Sequence, residues 1–104
     1  MQKVRITAVR RACHTDLMEI YENSLEDACS IQEGQVFVSV NCARPEGMCD
    51  SAWETLLPFV RILAEGGGCI YGDWMKDPHS AMISCNDGFR PVSFLLEAMS
   101  ETAE

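Results

Sequence analysis

The sequence predicts an α+β fold in which two helices pack on one face of a small, mostly antiparallel sheet. Three observations predict it: two segments with alternating apolar and polar residues, two segments with apolar residues at helical spacing, and a turn-forming sequence between two further alternating segments. The resulting order, β, α, β, α, β, β, closes with a hairpin and favours helices on one sheet face. A length of 104 residues predicts a single domain, residues 1–104.

The first half of the chain is predicted to contain a strand, a helix and a second strand. In residues 3–9, basic and apolar side chains alternate, which is typical of a strand that turns one face to water. Residues 15–23 have apolar side chains at helical spacing and a possible cap in Thr15 or Asp16, so we expect a short helix. Residues 35–42 follow a glycine turn and would place three valines on one strand face and Phe37 and Ser39 on the other, which predicts the second strand.

The longer helix is predicted for residues 50–65. Apolar side chains recur there at intervals of three and four: Trp53, Leu56, Leu57, Val60, Leu63 and Ala64. Asp50 or Ser51 can cap the start, while Pro58 removes one backbone donor and should bend the helix. Three consecutive glycines end it.

The last part of the chain predicts a hairpin with strands at residues 80–85 and 90–97. The sequence NDG between them consists of residues that favour tight turns. Because Pro91 cannot donate a hydrogen bond to a neighbouring strand, we expect it at the start of its strand or at a sheet edge.

Composition limits the compartment and the partners. Eight basic residues against sixteen acidic ones give a net charge of −8, which disfavours nucleic acid and anionic membrane surfaces as partners. No segment approaches the roughly 18 apolar residues of a membrane span. The N-terminal residues also lack the apolar region of a signal peptide, so we expect a cytoplasmic protein. Its six cysteines are then expected to be reduced thiols.

Four segments together carry a resemblance to a known family. They are HTDL (14–17), CSIQEGQVF (29–37), PEGMCDSAW (45–53) and CNDGFRPVSF (85–94). With these patterns, the chain resembles a family of small prokaryotic proteins of about this length that has no established activity. The resemblance covers nearly the whole chain, and it implies neither a cofactor nor a reaction. Cys13, Cys42 and Cys69 lie outside the four segments.

The first functional hypothesis is a thiol-centred metal site. Its candidate ligands each lie beside the end of a predicted element, and such ends can converge at one edge of a sheet: His14, Cys29, Cys49 and Cys85. One imidazole and three thiolates form a familiar tetrahedral Zn²⁺ set, and sulfur ligands also suit Cu⁺ or an iron–sulfur centre. No CxxC pair is present, so distant segments would have to assemble the site. The alternative is ordinary burial of small apolar thiols.

The second hypothesis is a metal-free enzyme or binder of a small molecule at the same edge. Cys49 lies just before the longer helix, where unsatisfied N–H groups and the helix dipole favour a nucleophilic thiolate. His14 is the candidate base and Asp87 the candidate orienting or acid–base carboxylate. Arg90 is the candidate clamp for a carboxylate or phosphate substrate. The sequence also allows a structural role for each of these three residues. His14 could form a hydrogen bond at the helix start, Asp87 could form a turn, and Arg90 could form a surface ion pair.

Aromatic residues supply candidate pocket walls and a third hypothesis. Trp53, Tyr71 and Trp74 are candidate substrate-binding residues, although Trp53 also suits the core. Alternatively, the glycine-flanked loop GGGCIYGDW, residues 66–74, docks into a partner or into a second copy of the chain. The protein would then be a non-enzymatic interaction module, in the simplest case a homodimer.

Overall fold

A computed structural model describes residues 1–23 and 31–102, and it gives this part of the chain four strands and two helices. The elements are β1 (Gln2–Arg11), α1 (Thr15–Tyr21), β2 (Val36–Ser39), α2 (Asp50–Ala64), β3 (Ser80–Ser84) and β4 (Val92–Thr102). The predicted α+β fold with a small antiparallel sheet is confirmed. Neither of the two helices has the length and apolar character that a membrane crossing requires.

The sheet has the strand order β2-β1-β4-β3, and each neighbouring pair is antiparallel. Ile6 on β1 pairs with Phe37 on one side and with Leu96 on the other, and Leu96 in turn pairs with Ala81. Because paired residues in a sheet point to the same face, these side chains form one continuous apolar row across all four strands. All four are buried.

The hydrophobic core lies between this sheet face and α2. The helix buries the residues of its predicted apolar stripe that face the sheet, together with one alanine near its start: Ala52, Leu56, Val60, Leu63 and Ala64. Removing a large apolar side chain from water stabilises the native state by roughly 1.5–3 kcal/mol. The stripe therefore fixes how α2 lies on the sheet, and with it the position of the helix N-terminus.

The two helices differ in their burial. None of the residues of α1 is buried, and its apolar side chains Leu17, Ile20 and Tyr21 are exposed. The start of α1 is attached through its backbone, because the N–H of His14 donates to the carbonyl of Phe89 at 2.8 Å. In the described part of the chain, α2 is therefore the helix that covers the sheet.

The second strand is shorter than its predicted range of 35–42. Exposed and buried side chains alternate from Val36 through Val40, but Asn41 and Cys42 have φ angles of 54° and 59°. This left-handed backbone cannot continue a strand. The N–H of Ala43 closes the turn on the carbonyl of Val40 at 3.0 Å. Local turn geometry thus ends β2 at Ser39.

Candidate functional site

Four of the predicted site residues line one small cavity beside the start of α2: Cys49, Cys85, Asp87 and Arg90. The cavity has a volume of about 50 Å³, and the core residues Ile31, Ala52, Val92 and Phe94 line its apolar side. We call it the thiol cavity. The N-terminus of α2 supplies the first of the four residues, and the turn between β3 and β4 supplies the other three.

Cys49 is the N-cap residue of α2. Its backbone is extended, and its carbonyl accepts the hydrogen bond from the N–H of Trp53 at 3.0 Å. The prediction that Asp50 or Ser51 caps this helix is wrong, because the carbonyl of Cys49 already belongs to the helical ladder and Asp50 is the first helical residue. The thiol itself makes no capping hydrogen bond, is exposed, and lies 3.7 Å from Oγ of Ser51.

Cys85 follows β3 directly and is held by the first residue of β4. Its backbone N–H donates to the carbonyl of Val92 at 3.0 Å, and its Sγ accepts the N–H of Val92 at 3.2 Å. The side chain is half-buried against the core. The sulfur of Cys85 is therefore fixed by a hydrogen bond on a half-buried residue, whereas Cys49 is exposed.

Asp87 organises the turn between β3 and β4. Its Oδ1 accepts the backbone N–H groups of Phe89 at 2.8 Å and of Arg90 at 3.0 Å. The N–H of Arg90 makes the largest contribution to lowering the pKa of Asp87 below its usual value; burial opposes it, and the N–H of Phe89 and the charge of Arg90 lower the pKa further. Asp87 is therefore an ionised turn residue, which is the structural role that the sequence also allowed.

Arg90 forms a two-point ion pair with Glu22 at the end of α1. Nη1 donates to Oε2 at 2.9 Å and Nη2 donates to Oε1 at 2.6 Å. These hydrogen bonds raise the pKa of Arg90 above its usual value. Both terminal nitrogens are therefore engaged within the chain, and a substrate anion would have to displace Glu22. No local sequence signal indicates Glu22 as the partner, because the two residues are 68 positions apart.

Of the two remaining metal-ligand candidates, His14 and Cys29, only His14 belongs to the described residues. His14 is the N-cap residue of α1, its side chain is exposed and makes no capping hydrogen bond, and its backbone is attached to the turn through Phe89. Cys29 lies outside the described residues. Across residues 1–23 and 31–102, no group of three or more His, Cys, Asp or Glu side chains is arranged to hold a metal ion.

Cys13, which the sequence left without a role, lies near the same end of the molecule. Its Sγ is 3.6 Å from Sδ of Met18, and the residue is close enough to Arg90 to interact with its charge. Cys42 lies elsewhere, with its Sγ 3.5 Å from Sδ of Met1. Cys69 is exposed in the loop after α2. These last two thiols are natural controls for any experiment on the cavity.

The structure does not bring the three aromatic candidates to the thiol cavity. Trp53 is half-buried against the core. Tyr71 and Trp74 pack edge to face with ring centroids 5.2 Å apart, and Phe59 lies 5.9 Å from Tyr71. Trp74 lines a separate groove on the sheet together with Met82 and Leu95. The aromatic loop and the thiols therefore form two distinct surfaces.

Fold and cavity together define a small α+β protein with two thiols from different elements at one site. Comparison with protein-family models, with curated proteins and with solved structures gives no match to this chain. The resemblance to the small prokaryotic family therefore stays a prediction, and the functional inference depends on the residues themselves.

Proposed function

We propose that the protein has a thiol-centred site at which Cys49 and Cys85 bind a thiophilic metal ion such as Zn²⁺ or Cu⁺. The observation that carries the proposal is that these two thiols, from the start of α2 and the end of β3, line the same cavity. Thiolates are preferred ligands of both ions. Their positions directly beside α2 and β3 fix the backbone that carries each sulfur, as a specific site requires.

The size of the cavity favours an ion over a whole substrate. Its volume is about 50 Å³. One water molecule occupies about 30 Å³ of the liquid, whereas pockets for drug-sized molecules have volumes of roughly 300–1,000 Å³. The cavity therefore suits a single ion, or the reactive end of a small molecule whose remainder stays in solvent.

Two sulfurs do not complete a structural Zn²⁺ site, which normally has four ligands. We propose Cys29 and His14 as the others, as the sequence suggested; the imidazole of His14 would have to move toward the two sulfurs, because the described side chains form no group of three ligands. For His14, support comes from its backbone hydrogen bond to Phe89, which ties it to the turn that carries Cys85. Cys29 enters the proposal from the sequence alone. A site of this kind requires reduced thiols, so we also propose that the protein acts in the cytoplasm.

The second candidate function is a metal-free reaction at Cys49. Its exposed thiol at the N-cap, without a capping hydrogen bond, favours this alternative. The rest of the predicted set, His14, Asp87 and Arg90, supports it less. Oδ1 of Asp87 already accepts two backbone N–H groups, and Arg90 is bound to Glu22. We therefore rank a metal-binding site above a small-molecule enzyme.

Elemental analysis of protein purified without added metal tests the proposal. We expect a stoichiometric thiophilic metal in the wild type and its loss in Cys49→Ser and in Cys85→Ser, because each change removes a sulfur ligand. Cys69→Ser is the matched control and should keep the metal, since that thiol lies outside the cavity. A chelator should also lower the stability of the wild type, because metal binding is coupled to folding.

Sub-stoichiometric metal, together with stability that a chelator leaves unchanged, would rule out the metal site. Iodoacetamide labelling of the same samples then tests the second candidate. A reactive nucleophile requires Cys49 to be modified faster at neutral pH than Cys69 and faster than a free thiol. If Cys49 reacts no faster than these references, the metal-free reaction is rejected as well.

A further inference from the structure

The sheet face opposite α2 carries an unusual number of apolar side chains. In an antiparallel sheet with one covered face, the other face is normally polar. Here β2 presents Val36 and Val38, which are 53% and 40% exposed, and β1 presents Val9, which is 46% exposed. We call this surface the open face.

The strand register arranges the open face in two rows. One row runs from Val36 through Thr7 and Leu95 to Met82 and is apolar apart from one hydroxyl. The next row runs from Val38 through Arg5 and Glu97 to Ser80, of which Ser80 is buried. Arg5 and Glu97 form an ion pair at 3.2 Å at the middle of the face, between β1 and β4.

Two copies can pack with their open faces together around a two-fold axis that runs parallel to the strands, above the line between β1 and β4. Around this axis, each row of one copy lies over the same row of the other copy and is complementary to it. Such an axis lays β1 over the partner's β4 and β2 over its β3. It places Arg5 over the partner's Glu97. Charges of opposite sign therefore face each other across the interface twice, even though the whole chain has a net charge of −8.

The same axis fits the apolar row. It places Val36 over the partner's Met82. Beside Met82 lies a groove of about 420 Å³, bordered by Trp74 and Leu95. A valine from the edge strand of one protomer would enter this groove in the other. The aromatic loop that the sequence indicated as a docking surface thus forms one border of the open face.

The area of the open face lies at the lower end of the range for protein–protein interfaces. With strands of 10, 4, 5 and 11 residues, about 3.4 Å of rise per residue and about 4.8 Å between strands, the face covers roughly 500 Å² in projection. Side-chain relief and the Trp74 loop increase the accessible area beyond this projection. Stable interfaces bury about 800 Å² per partner.

We propose that the open face is a homodimer interface in which two sheets pack face to face around this two-fold axis. The occupant is a second copy of the chain, because the central charges and the apolar row match their own images. The thiol cavity is lined by core residues on the other side of the sheet, such as Ala52 and Phe94. A negative result for dimerisation therefore leaves the proposed metal site unaffected, and a negative result for metal binding leaves the proposed dimer unaffected.

Light scattering and sedimentation across a wide range of concentrations provide the first test. We expect the wild type to reach twice the chain mass of 11.6 kDa. Val36→Glu should raise the dissociation constant at least about tenfold, because it places a carboxylate in a groove that Asp77 and Glu97 already line. Ile62→Glu is the matched control: its side chain is 41% exposed on α2, and the change should leave the constant unaltered.

Mixing two charge variants provides the second test. Arg5→Glu alone places like charges across the axis, and so does Glu97→Arg alone, so each variant should be monomeric. An equimolar mixture restores opposite charges and should form a one-to-one heterodimer, which native mass spectrometry resolves. Circular dichroism verifies that each variant is folded.

Three results would each overturn the proposal. The first is a wild type that has the monomer mass at every concentration. The second is an equal effect of Val36→Glu and Ile62→Glu. The third is a mixture of folded charge variants that stays monomeric.

Discussion

Asp87 shows that the contacts of a side chain decide between roles that the sequence leaves open. Aspartate in the sequence NDG suits both acid–base chemistry and a turn. In the structure, Oδ1 accepts the N–H groups of Phe89 and Arg90, so its hydrogen-bonding capacity serves the turn. This turn positions Cys85 and Arg90 at the thiol cavity. The role of Asp87 at the site is therefore to hold the residues around it.

The stability contribution of Asp87 should depend on pH. Because native hydrogen bonds lower its pKa below 3.8, the ionised carboxylate stabilises the fold above that pH. The contribution disappears as the pH falls through the lowered native pKa. We expect Asp87→Ala to reduce the free energy of unfolding by about 1 kcal/mol at neutral pH, and Asp87→Asn to reduce it less because an acceptor oxygen remains.

Urea unfolding at about pH 7 and about pH 3 measures this effect. The difference between wild type and Asp87→Asn should shrink at the acidic pH. Asp73→Asn makes the same change at an exposed loop position and serves as the control. If the difference at Asp87 stays constant with pH, or equals that at Asp73, the carboxylate has no special role in the turn.

The sequence indicated most of the candidate site because the relevant signals are local. Cys49 precedes a helical stripe, and Cys85 precedes the turn formers, so both were expected at element ends. The partner of Arg90 was not predictable, since Glu22 lies in a different element and nothing local to either residue specifies the pair. The ion pair between Arg90 and Glu22 thus arises from the tertiary structure and not from the local sequence.

At the scale of elements, the type and order of strands and helices followed from periodicity, whereas their ends did not. β2 ends at Ser39 because of the left-handed residues Asn41 and Cys42. β4 continues to Thr102, beyond the predicted end at residue 97, because its partner Gln2 lies at the start of β1. Both ends depend on contacts or backbone angles that apolar spacing does not encode.

Pro58 is a local defect within α2, and its removal should stabilise the protein. It is exposed inside the helix and has no N–H to donate to the carbonyl of Glu54. An interior proline costs about 3 kcal/mol relative to alanine, but it also lowers the entropy of the unfolded chain by an equivalent of up to about 1 kcal/mol. We expect Pro58→Ala to raise the free energy of unfolding by about 1–2 kcal/mol.

Denaturant titration measures the effect of Pro58→Ala. Ile62→Ala, one turn later on the exposed side of α2, alters a side chain without changing backbone hydrogen bonding and should have little effect. Unchanged or lower stability of Pro58→Ala would show that the surrounding structure has adapted to the proline. In that case the proline itself contributes to how α2 fits the sheet.

At the scale of the whole molecule, one end is assembled from parts of the chain that are far apart in sequence. The start of α1 is attached to the turn between β3 and β4 through His14 and Phe89, and its end is attached through Glu22 and Arg90. The same turn and the start of α2 form the thiol cavity. Since α1 has no buried residue, these attachments at its two ends take the place of a packed face.

Replacement of Glu22 should therefore loosen α1 without a comparable effect on the sheet. The Glu22 side chain is only 8% exposed, so Glu22→Gln leaves the guanidinium of Arg90 with a neutral partner in a partly desolvated place. We expect amide hydrogen exchange in residues 15–22 to become severalfold faster, while β1 and β4 keep their protection. Exchange measured by mass spectrometry on peptides from these segments reports both regions in one experiment.

Glu19→Gln removes the same charge from the exposed surface of α1 and provides the control. If both variants accelerate exchange equally, the loss of negative charge rather than the ion pair is responsible. If Glu22→Gln instead weakens protection in α1, β1 and β4 alike, the pair stabilises the whole fold. Exchange that becomes faster only in α1, and only in Glu22→Gln, would establish that the two-point contact with Arg90 holds this helix against the end of the sheet that carries the thiols.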